Sequence, residues 1–165
     1  MVIRQCKPAE LDEVCAVVND AAKAYRGVIA ADRWKEPYMS QTELRREVDD
    51  GVQFWGAFDE GILAGVMGLQ DVGDVALVRH AYTRTARQGS GLGTALLEHV
   101  VSQTDLPMLV GTWTAASWAI RFYQRHGFQL VTDREKDTLL RRYWKIPERQ
   151  IEDSVVLADA RWLGT

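Results

Sequence analysis

The chain has 165 residues, of which 47% are hydrophobic and 26% are charged, and its formal net charge at pH 7 is −3. This mixture is typical of a globular protein, and the slightly acidic balance gives no sign of a nucleic-acid-binding surface. No apolar run approaches the roughly 18 residues of a membrane span, and the first residues lack the apolar segment of a signal peptide. We therefore expect one cytoplasmic domain over residues 1–165 that binds neither nucleic acid nor membrane.

The two cysteines, Cys6 and Cys15, follow no spacing that is typical of a metal site or of a redox motif. We expect no metal and no covalent cysteine chemistry. A small buried hydrophobic side chain is the predicted role of each.

Apolar spacing and turn residues predict the elements of the first half of the chain. They are a strand over 2–6, a helix over 9–24, an aromatic-rich connection over 25–40, a helix from Ser40 to about Asp50, a hairpin of two strands over 52–70, and a strand over 74–82. Ser40 with Glu43 forms a capping-box pattern at the start of the second helix. The charged run of that helix, "ELRREVDD", indicates a solvated face.

The second half of the chain alternates strands and helices. The predicted elements are a glycine-rich loop at 87–93, a helix over about 91–102, a strand over 107–113, a helix over 115–126, a strand over 128–131, a helix over 133–144 and a last strand over 151–160. Gly127 is expected to end the fourth helix as its C-cap glycine. The order predicts a mixed α/β domain.

The segment "RQGSGLGT" places three glycines in five positions at the start of a helix. A triphosphate-binding loop would need a lysine after the last glycine, where this chain has Thr94. A dinucleotide fingerprint would need a third glycine at that same position and a later strand that ends in an acid, and neither is present. A turn without a ligand stays open, although three glycines carry a large entropy cost for one turn.

Two motifs resemble the signatures of the GNAT acetyltransferase superfamily. The first is Q-x-x-G-x-G, in which Gln88, Gly91 and Gly93 lie between a strand and a helix. The second, A-x-x-F/L-Y-x-x-x-G-F, is matched at Ala119, Phe122, Tyr123, Gly127 and Phe128. The motifs occur in the family's order and spacing, so that the resemblance covers most of the chain.

The resemblance implies a mixed, mostly antiparallel central sheet of about six to seven strands, with helices on both faces and a splay between the fourth and fifth strands. Residues 133–165 would form a variable C-terminal part with an extra helix and a last strand. Acetyl-CoA is the implied cosubstrate. The residues implied to bind it are Ala81, Tyr82 and Thr83 along the pantetheine arm, Gln88, Gly89, Ser90, Gly91, Leu92, Gly93 and Thr94 at the diphosphate, and Ser117.

For catalysis, the resemblance implies that Tyr123 donates a proton to the leaving thiolate. The alternative is a packed helix aromatic. His80, just before the pantetheine segment, is a candidate general base because imidazole changes charge near neutral pH. The alternative for His80 is a hydrogen-bonded core residue. Ala116 departs from the family, which commonly has an asparagine at that position.

The aromatic connection is the predicted acceptor site, through Tyr25, Arg26, Trp34 and Tyr38. Equally, these rings could fix the loop to the fold. The resulting hypothesis is an acetyl-CoA-dependent N-acetyltransferase that acts on the amine of a small molecule by direct attack in a ternary complex. A non-catalytic acyl-CoA sensor and a protein or peptide N-acetyltransferase are the alternatives. The last strand would allow a homodimer.

Overall fold

The structure, a computed structural model, describes residues 1–164. The strands of this part of the chain are β1 (Val2–Gln5), β2 (Gln53–Asp59), β3 (Ile62–Asp71), β4 (Ala76–Thr83), β5 (Met108–Trp113), β6 (Gln129–Leu130) and β7 (Ser154–Ala158). Its α-helices are α1 (Leu11–Ala22), α2 (Gln41–Asp49), α3 (Leu92–Val101), α4 (Ser117–Arg125), α5 (Asp133–Tyr143), α6 (Glu148–Glu152) and α7 (Ala160–Leu163).

The strands follow one another in the sheet in the order β1-β2-β3-β4-β5-β7-β6. The pairs β1–β2, β2–β3, β5–β7 and β6–β7 are antiparallel, whereas β4 and β5 run parallel. The predicted α/β fold with a mixed, mostly antiparallel sheet of six to seven strands is confirmed.

The chain forms two compact units. The first comprises Met1–Asp71 and Val78–Asp105, and the second comprises Val72–Leu77 and the residues from Leu106 onward. Strand β4 therefore begins in the second unit and continues in the first.

In the first unit, β2 and β3 form the predicted hairpin. Glu60 and Gly61 both have positive φ, 50° and 80°, which is the conformation of a tight two-residue turn between twisted strands. Val66 of β3 belongs to the core cluster that includes Val14 and Val18 of α1. The neighbouring Gly65 faces Leu96 of α3. Because successive residues of a strand face opposite sides, α1 and α3 cover the two faces of β3.

Helix α2 begins where the sequence predicts it. The Ser40 hydroxyl accepts a hydrogen bond from the Glu43 amide at 3.1 Å, and Leu44 is the helix's fully buried residue. Asn19 of α1 fixes the chain just before this helix. Its amide group donates to the Met39 carbonyl at 2.9 Å and accepts from the Met39 amide at 2.8 Å.

In the second unit, the predicted bounds of the last strand, 151–160, are wrong at both ends. Ile151 and Glu152 belong to α6, and the strand begins at Ser154. Asp159 ends it, because its carboxylate accepts the Trp162 amide at 3.1 Å and so starts α7. The run 154–158, with Val155 and Val156 at its centre, is a strand as predicted, but the residues that flank it satisfy their backbone groups locally.

Strand β7 lies between β5 and β6; β5 pairs along its whole length, whereas β6 pairs only with Leu157 and Ala158. Homodimerisation itself stays a prediction.

Glu10 fastens the start of α1 to β1. Its carboxylate accepts hydrogen bonds from the Arg4 guanidinium at 2.7 and 3.0 Å and from the Lys7 amide at 2.7 Å. These contacts, the one with Arg4 above all, lower the pKa of Glu10 from 4.5 to about 2.

We expect Glu10→Gln to lower the midpoint of thermal unfolding by a few degrees at neutral pH. Since the folded state favours the ionised carboxylate, its stabilisation is complete above about pH 4.5 and is lost as the pH falls from there towards 2. The midpoints of the two proteins should thus converge on acidification in calorimetry. Glu148→Gln, which breaks an exposed pair with Arg141, is the control and should change little. Equal midpoints for Glu10→Gln and the parent at pH 7 would contradict this role.

Candidate active site

The glycine-rich segment forms a turn that leads directly into α3. Gly89 and Gly91 have φ of 79° and 82°, in the left-handed region that glycine adopts without strain. Around each, the space that a Cβ would occupy is open to 4 Å. Gly91 is the N-cap of α3, and it has no side chain that could cap the first-turn amides. This turn, residues 88–94, is called the glycine turn below.

The geometry of the glycine turn suits an anion such as the diphosphate of coenzyme A. The first N–H groups of a helix have no acceptor inside the helix, and the helix dipole places partial positive charge there. A phosphate group can approach the backbone closely because the two glycines present no side chain. The residues present therefore fit the group that the motif predicts.

Asp20 of α1 holds the chain just before the glycine turn, a contact that the sequence did not predict. Its carboxylate accepts a hydrogen bond from the Thr85 amide at 2.7 Å, and this bond lowers the pKa of Asp20. Two arginines are engaged in the same region. Arg84 donates to the Leu63 carbonyl at 2.7 Å, and Arg87 pairs with Asp59. These arginines therefore fasten the turn to β2 and β3.

We expect Asp20→Ala to raise the KM for acetyl-CoA about 5- to 10-fold, the effect of losing one hydrogen bond of this kind. The kcat should change by less than about twofold, because Asp20 touches the turn and not the reacting groups. Asn at this position keeps an acceptor oxygen and should restore the KM. Steady-state kinetics with varied acetyl-CoA measure both values, and an unchanged KM for Asp20→Ala would show that the contact does not position the turn.

Strand β4 is irregular at His80, in the second half of the strand. Arg79 and His80 follow four buried residues, Val75 to Val78, and His80 has a φ of 52°, which is rare for a residue with a side chain. The left-handed conformation interrupts the regular alternation of side chains that a strand otherwise shows. On β3, Gly68 allows the strands to come close here, since a Cβ on Gly68 would lie 2.7 Å from the Arg79 carbonyl oxygen.

Glu47 of α2 meets both side chains from the irregular strand. Its Oε1 lies 2.7 Å from Arg79 Nη2, and its Oε2 lies 2.7 Å from His80 Nε2. The three side chains are largely buried, with exposed fractions of 16 to 20%. Gln70 continues the cluster, because its Oε1 accepts from Arg79 at 3.2 Å and its Nε2 donates to the Asp50 carbonyl at 3.1 Å.

Burial raises the pKa of the Glu47 carboxyl, but the contacts with His80 and Arg79 outweigh it, and the net direction is downwards. Glu47 is thus a carboxylate at neutral pH. The sequence predicts a solvated face for α2 and so does not predict that Glu47 is largely buried. An acidic residue near the end of a charged helix carries no periodic signal of burial.

The aromatic connection packs on itself and on β4. Tyr25 is buried, with its ring centroid 5.4 Å from that of Tyr38 and 6.2 Å from that of Tyr82. Trp34 stacks on Tyr38 at 5.9 Å. Tyr25 thus fixes the connection, while Trp34 and Tyr38 are half-buried and Tyr38 also packs against the core cluster of this unit. The role of these rings in acceptor binding stays a prediction. Arg26 is exposed.

Trp34 and Tyr38 form one wall of a groove of about 460 Å³. The other wall is formed by Asn19 and Asp20 of α1 and by Lys23, the residue that follows this helix. The groove also carries the carboxylate of Glu36. Its volume is in the range of small-molecule sites.

In the second unit, Tyr123 lies in the last turn of α4 and is 5% exposed. The Gly127 amide donates to the Gln124 carbonyl at 3.2 Å, and the Phe128 amide donates to the Tyr123 carbonyl at 3.1 Å. With Gly127 at a φ of 87°, these bonds form a Schellman C-cap, as the sequence predicts for this glycine. The motif positions 127 and 128 thus end the helix and fix Tyr123 against Phe128, with ring centroids 5.6 Å apart.

Ser117 is the first residue of α4, and the buried Ala116 is its N-cap. His126 is a capping residue, since its Nδ1 lies 2.8 Å from the Phe122 carbonyl oxygen. Among residues 1–164, no group of three or more His, Cys, Asp or Glu side chains could hold a metal ion. Within the same range, every helix is too short or too polar to cross a membrane.

A family model described as the acetyltransferase (GNAT) domain matches residues 16–141. The chain belongs to the GNAT acetyltransferase family. It is accordingly an acetyl-CoA-dependent N-acetyltransferase. Among proteins with curated functions, none is detectably similar to this acetyltransferase in sequence.

Solved structures of GNAT proteins share the fold over nearly the whole chain. A GNAT-family acetyltransferase of Staphylococcus aureus is 17% identical with a TM-score of 0.71, over 96% of this chain and 97% of that one. The PaiA N-acetyltransferase of Thermoplasma acidophilum, solved in complex with coenzyme A, is 17% identical with a TM-score of 0.67, over 96% and 99%. A ribosomal-protein-alanine N-acetyltransferase of Brucella melitensis is 18% identical with a TM-score of 0.60, over 80% and 86%.

Proposed function

We propose that this GNAT enzyme transfers the acetyl group of acetyl-CoA to the amine of a small-molecule acceptor, by direct attack in a ternary complex, in the cytoplasm. The observation that carries the proposal is the glycine turn, where two left-handed glycines lead into a helix N-terminus without a side-chain cap. The amides of residues 88–94 would hold the diphosphate, and Ala81, Tyr82 and Thr83 at the end of β4 would pair with the pantetheine arm. Ser117 would contribute a hydroxyl near the coenzyme.

Bound acetyl-CoA supplies the activated acetyl group as a thioester. The acceptor amine must lose a proton to attack, because an alkylammonium ion has a pKa near ~10 in water. We assign the removal of that proton to His80, whose contact with Glu47 holds the ring in place. Tyr123 keeps the role that the motif predicts for it, which is to hold a proton at its phenol oxygen for the departing thiolate.

The state of the cysteines supports direct attack. Burial raises the pKa of the Cys6 thiol to about 12 and also raises the pKa of Cys15, whose thiol donates to the Met39 carbonyl. Neither thiol is a thiolate at neutral pH, so neither is activated to carry an acetyl group. Both are free of disulfides, which suits a reducing compartment.

The groove beside the aromatic connection supports a small acceptor. The stacked rings of Trp34 and Tyr38 offer an apolar wall, and Glu36 adds a carboxylate. Such a combination favours an ammonium group on a partly apolar body. The Asp20 carboxylate is already engaged by the Thr85 amide and by Lys23. Tyr25 and Arg26 flank this wall in the chain and complete the proposed acceptor site.

A screen of thiol release tests the proposal directly. The enzyme is incubated with acetyl-CoA and panels of amino acids, polyamines, aminoglycosides and short peptides, and free CoA is measured. Turnover with a small amine and not with peptides supports the proposal. Turnover with peptides alone would identify a peptide acetyltransferase, and binding of acetyl-CoA without turnover on any amine would overturn the small-molecule assignment.

A further inference from the structure

The contact between Glu47 and His80 determines which nitrogen of the imidazole is available for chemistry. His80 Nε2 lies 2.7 Å from Glu47 Oε2, although the geometry is not that of a hydrogen bond and neither atom has another hydrogen-bond partner within residues 1–164. At that separation two lone pairs would repel each other, and the carboxylate has no proton to donate. A proton on Nε2 removes this repulsion and places the positive end of the N–H dipole beside the carboxylate.

We infer that Glu47 is a positioning residue that fixes His80 as the Nε2–H tautomer, so that Nδ1 is the nitrogen that accepts the proton of the acceptor amine. The inference rests on the proposed role of His80 as the base. Glu47 itself touches neither the acceptor nor the coenzyme in this account. It acts through the ring that it holds.

The rest of the cluster makes Glu47 well suited to this role. Arg79 binds the other carboxylate oxygen at 2.7 Å, and Gln70 holds Arg79 in turn and is tied to the Asp50 carbonyl. The carboxylate is therefore held from two sides and cannot rotate away from the ring without losing Arg79. Such buried and connected networks keep one arrangement better than an isolated pair does.

The backbone of β4 directs the ring towards Glu47. The positive φ of His80 turns its side chain out of the strand's alternation, a conformation that persists only where surrounding contacts hold it. The Phe54 ring of β2 lies against the imidazole at 6.1 Å with an interplanar angle of 29°. The charged group in contact with His80 is Glu47 from α2, whose other oxygen binds Arg79 of β4, while β2 contributes the uncharged ring of Phe54.

The ring of His80 can be observed directly by long-range nitrogen–proton NMR correlation, because the chain has only three histidines. His80→Gln assigns its signals by their loss. In the wild-type enzyme above neutral pH, we expect the pattern of a ring that is protonated at Nε2 and free at Nδ1. A ring protonated at Nδ1 would overturn the inference, and this measurement needs no variant of Glu47.

Kinetics of Glu47→Gln provide the second readout. The glutamine amide can donate a hydrogen bond to the ring or accept one from it, so both tautomers of His80 become populated. We expect kcat/KM to fall about 10- to 100-fold. Removing the general base itself would cost roughly 10²–10⁴-fold. Without the carboxylate, the site loses the negative charge beside the ring, so the acid limb of the pH profile should move to lower pH. Glu47→Asp keeps the charge and should recover the acid limb. Glu43→Gln, one turn earlier on α2 where the side chain pairs with Lys35, is the matched control and should leave the profile unchanged.

The outcomes separate the inference from the function on which it rests. An acid limb that survives in His80→Gln would remove His80 from the reaction, and with it the proposed base. A second outcome would overturn the role of Glu47 alone. In that outcome His80→Gln loses the acid limb, while Glu47→Gln keeps both the acid limb and the kcat/KM of the wild-type enzyme. Calorimetry with acetyl-CoA should give wild-type affinity for both variants, which shows that each is folded.

Discussion

Replacing Gly91 by aspartate should weaken acetyl-CoA binding at least about 100-fold. The space beside Gly91 is open, so the new carboxylate meets no protein atom within 4 Å of its Cβ. It would lie instead at the N-terminus of α3, where we place the diphosphate, and like charges a few ångströms apart at a protein surface repel by several kcal/mol. Calorimetric titration with acetyl-CoA measures the effect.

Gly91→Asn is the matched control. Asparagine and aspartate have the same shape, and both tolerate the left-handed φ of 82° better than other residues with side chains. We expect Gly91→Asn to keep acetyl-CoA affinity within about tenfold of the parent. If the two variants bind equally well, the diphosphate is not at this turn. If both lose binding equally, shape rather than charge governs the site.

Tyr123→Phe should lower kcat about 100-fold and leave the KM for acetyl-CoA within about twofold. The substitution removes only the hydroxyl from a ring that is packed against Phe122 and Phe128, so the helix end keeps its shape. The variant has no phenol proton to give to the departing thiolate, so turnover falls while acetyl-CoA binding does not.

Tyr143→Phe controls for the loss of a phenol elsewhere in the same unit. The Tyr143 hydroxyl contacts the Asp74 carboxylate at 2.9 Å, and that pair lies at the surface. Its kcat should be unchanged. Wild-type turnover in Tyr123→Phe would show that Tyr123 is a packed aromatic and no more, the alternative that its burial also allows.

Elements with local signals could be predicted from the sequence. The Ser40 cap, the turn at Glu60 and Gly61, and the C-cap at Gly127 each follow from a residue type that a specific backbone geometry requires. The glycine turn belongs to the same class, because its motif lies at a boundary between a strand and a helix.

The ends of the last strand could not be predicted in this way. The segment 151–153 joins an apolar residue to two acids, a composition that a strand and a short helix accommodate equally. The helix forms because the Gln150 and Ile151 amides donate to the Pro147 carbonyl at 2.9 and 3.1 Å. That bonding is fixed by the fold rather than by the periodicity of the segment.

The cluster around Glu47 could not be predicted because three separate parts of the chain build it. Glu47 belongs to a charged helix, Gln70 to β3, and Arg79 with His80 to β4. None has a motif that points to the others, and the left-handed turn at His80 breaks the alternation that would have assigned its face. Asp20 was missed for the same reason, since its partner at Thr85 lies 65 positions further along the chain.

The most direct test of the account compares acetyl-CoA with S-acetylpantetheine, which has the thioester but lacks the diphosphate, by calorimetry on the parent and on Gly91→Asp. The account predicts that the parent binds acetyl-CoA at least about 100-fold more tightly than S-acetylpantetheine, and that the variant binds the two with nearly equal, weak affinity. A variant that still prefers acetyl-CoA as strongly as the parent does would contradict the assignment of the diphosphate to the glycine turn.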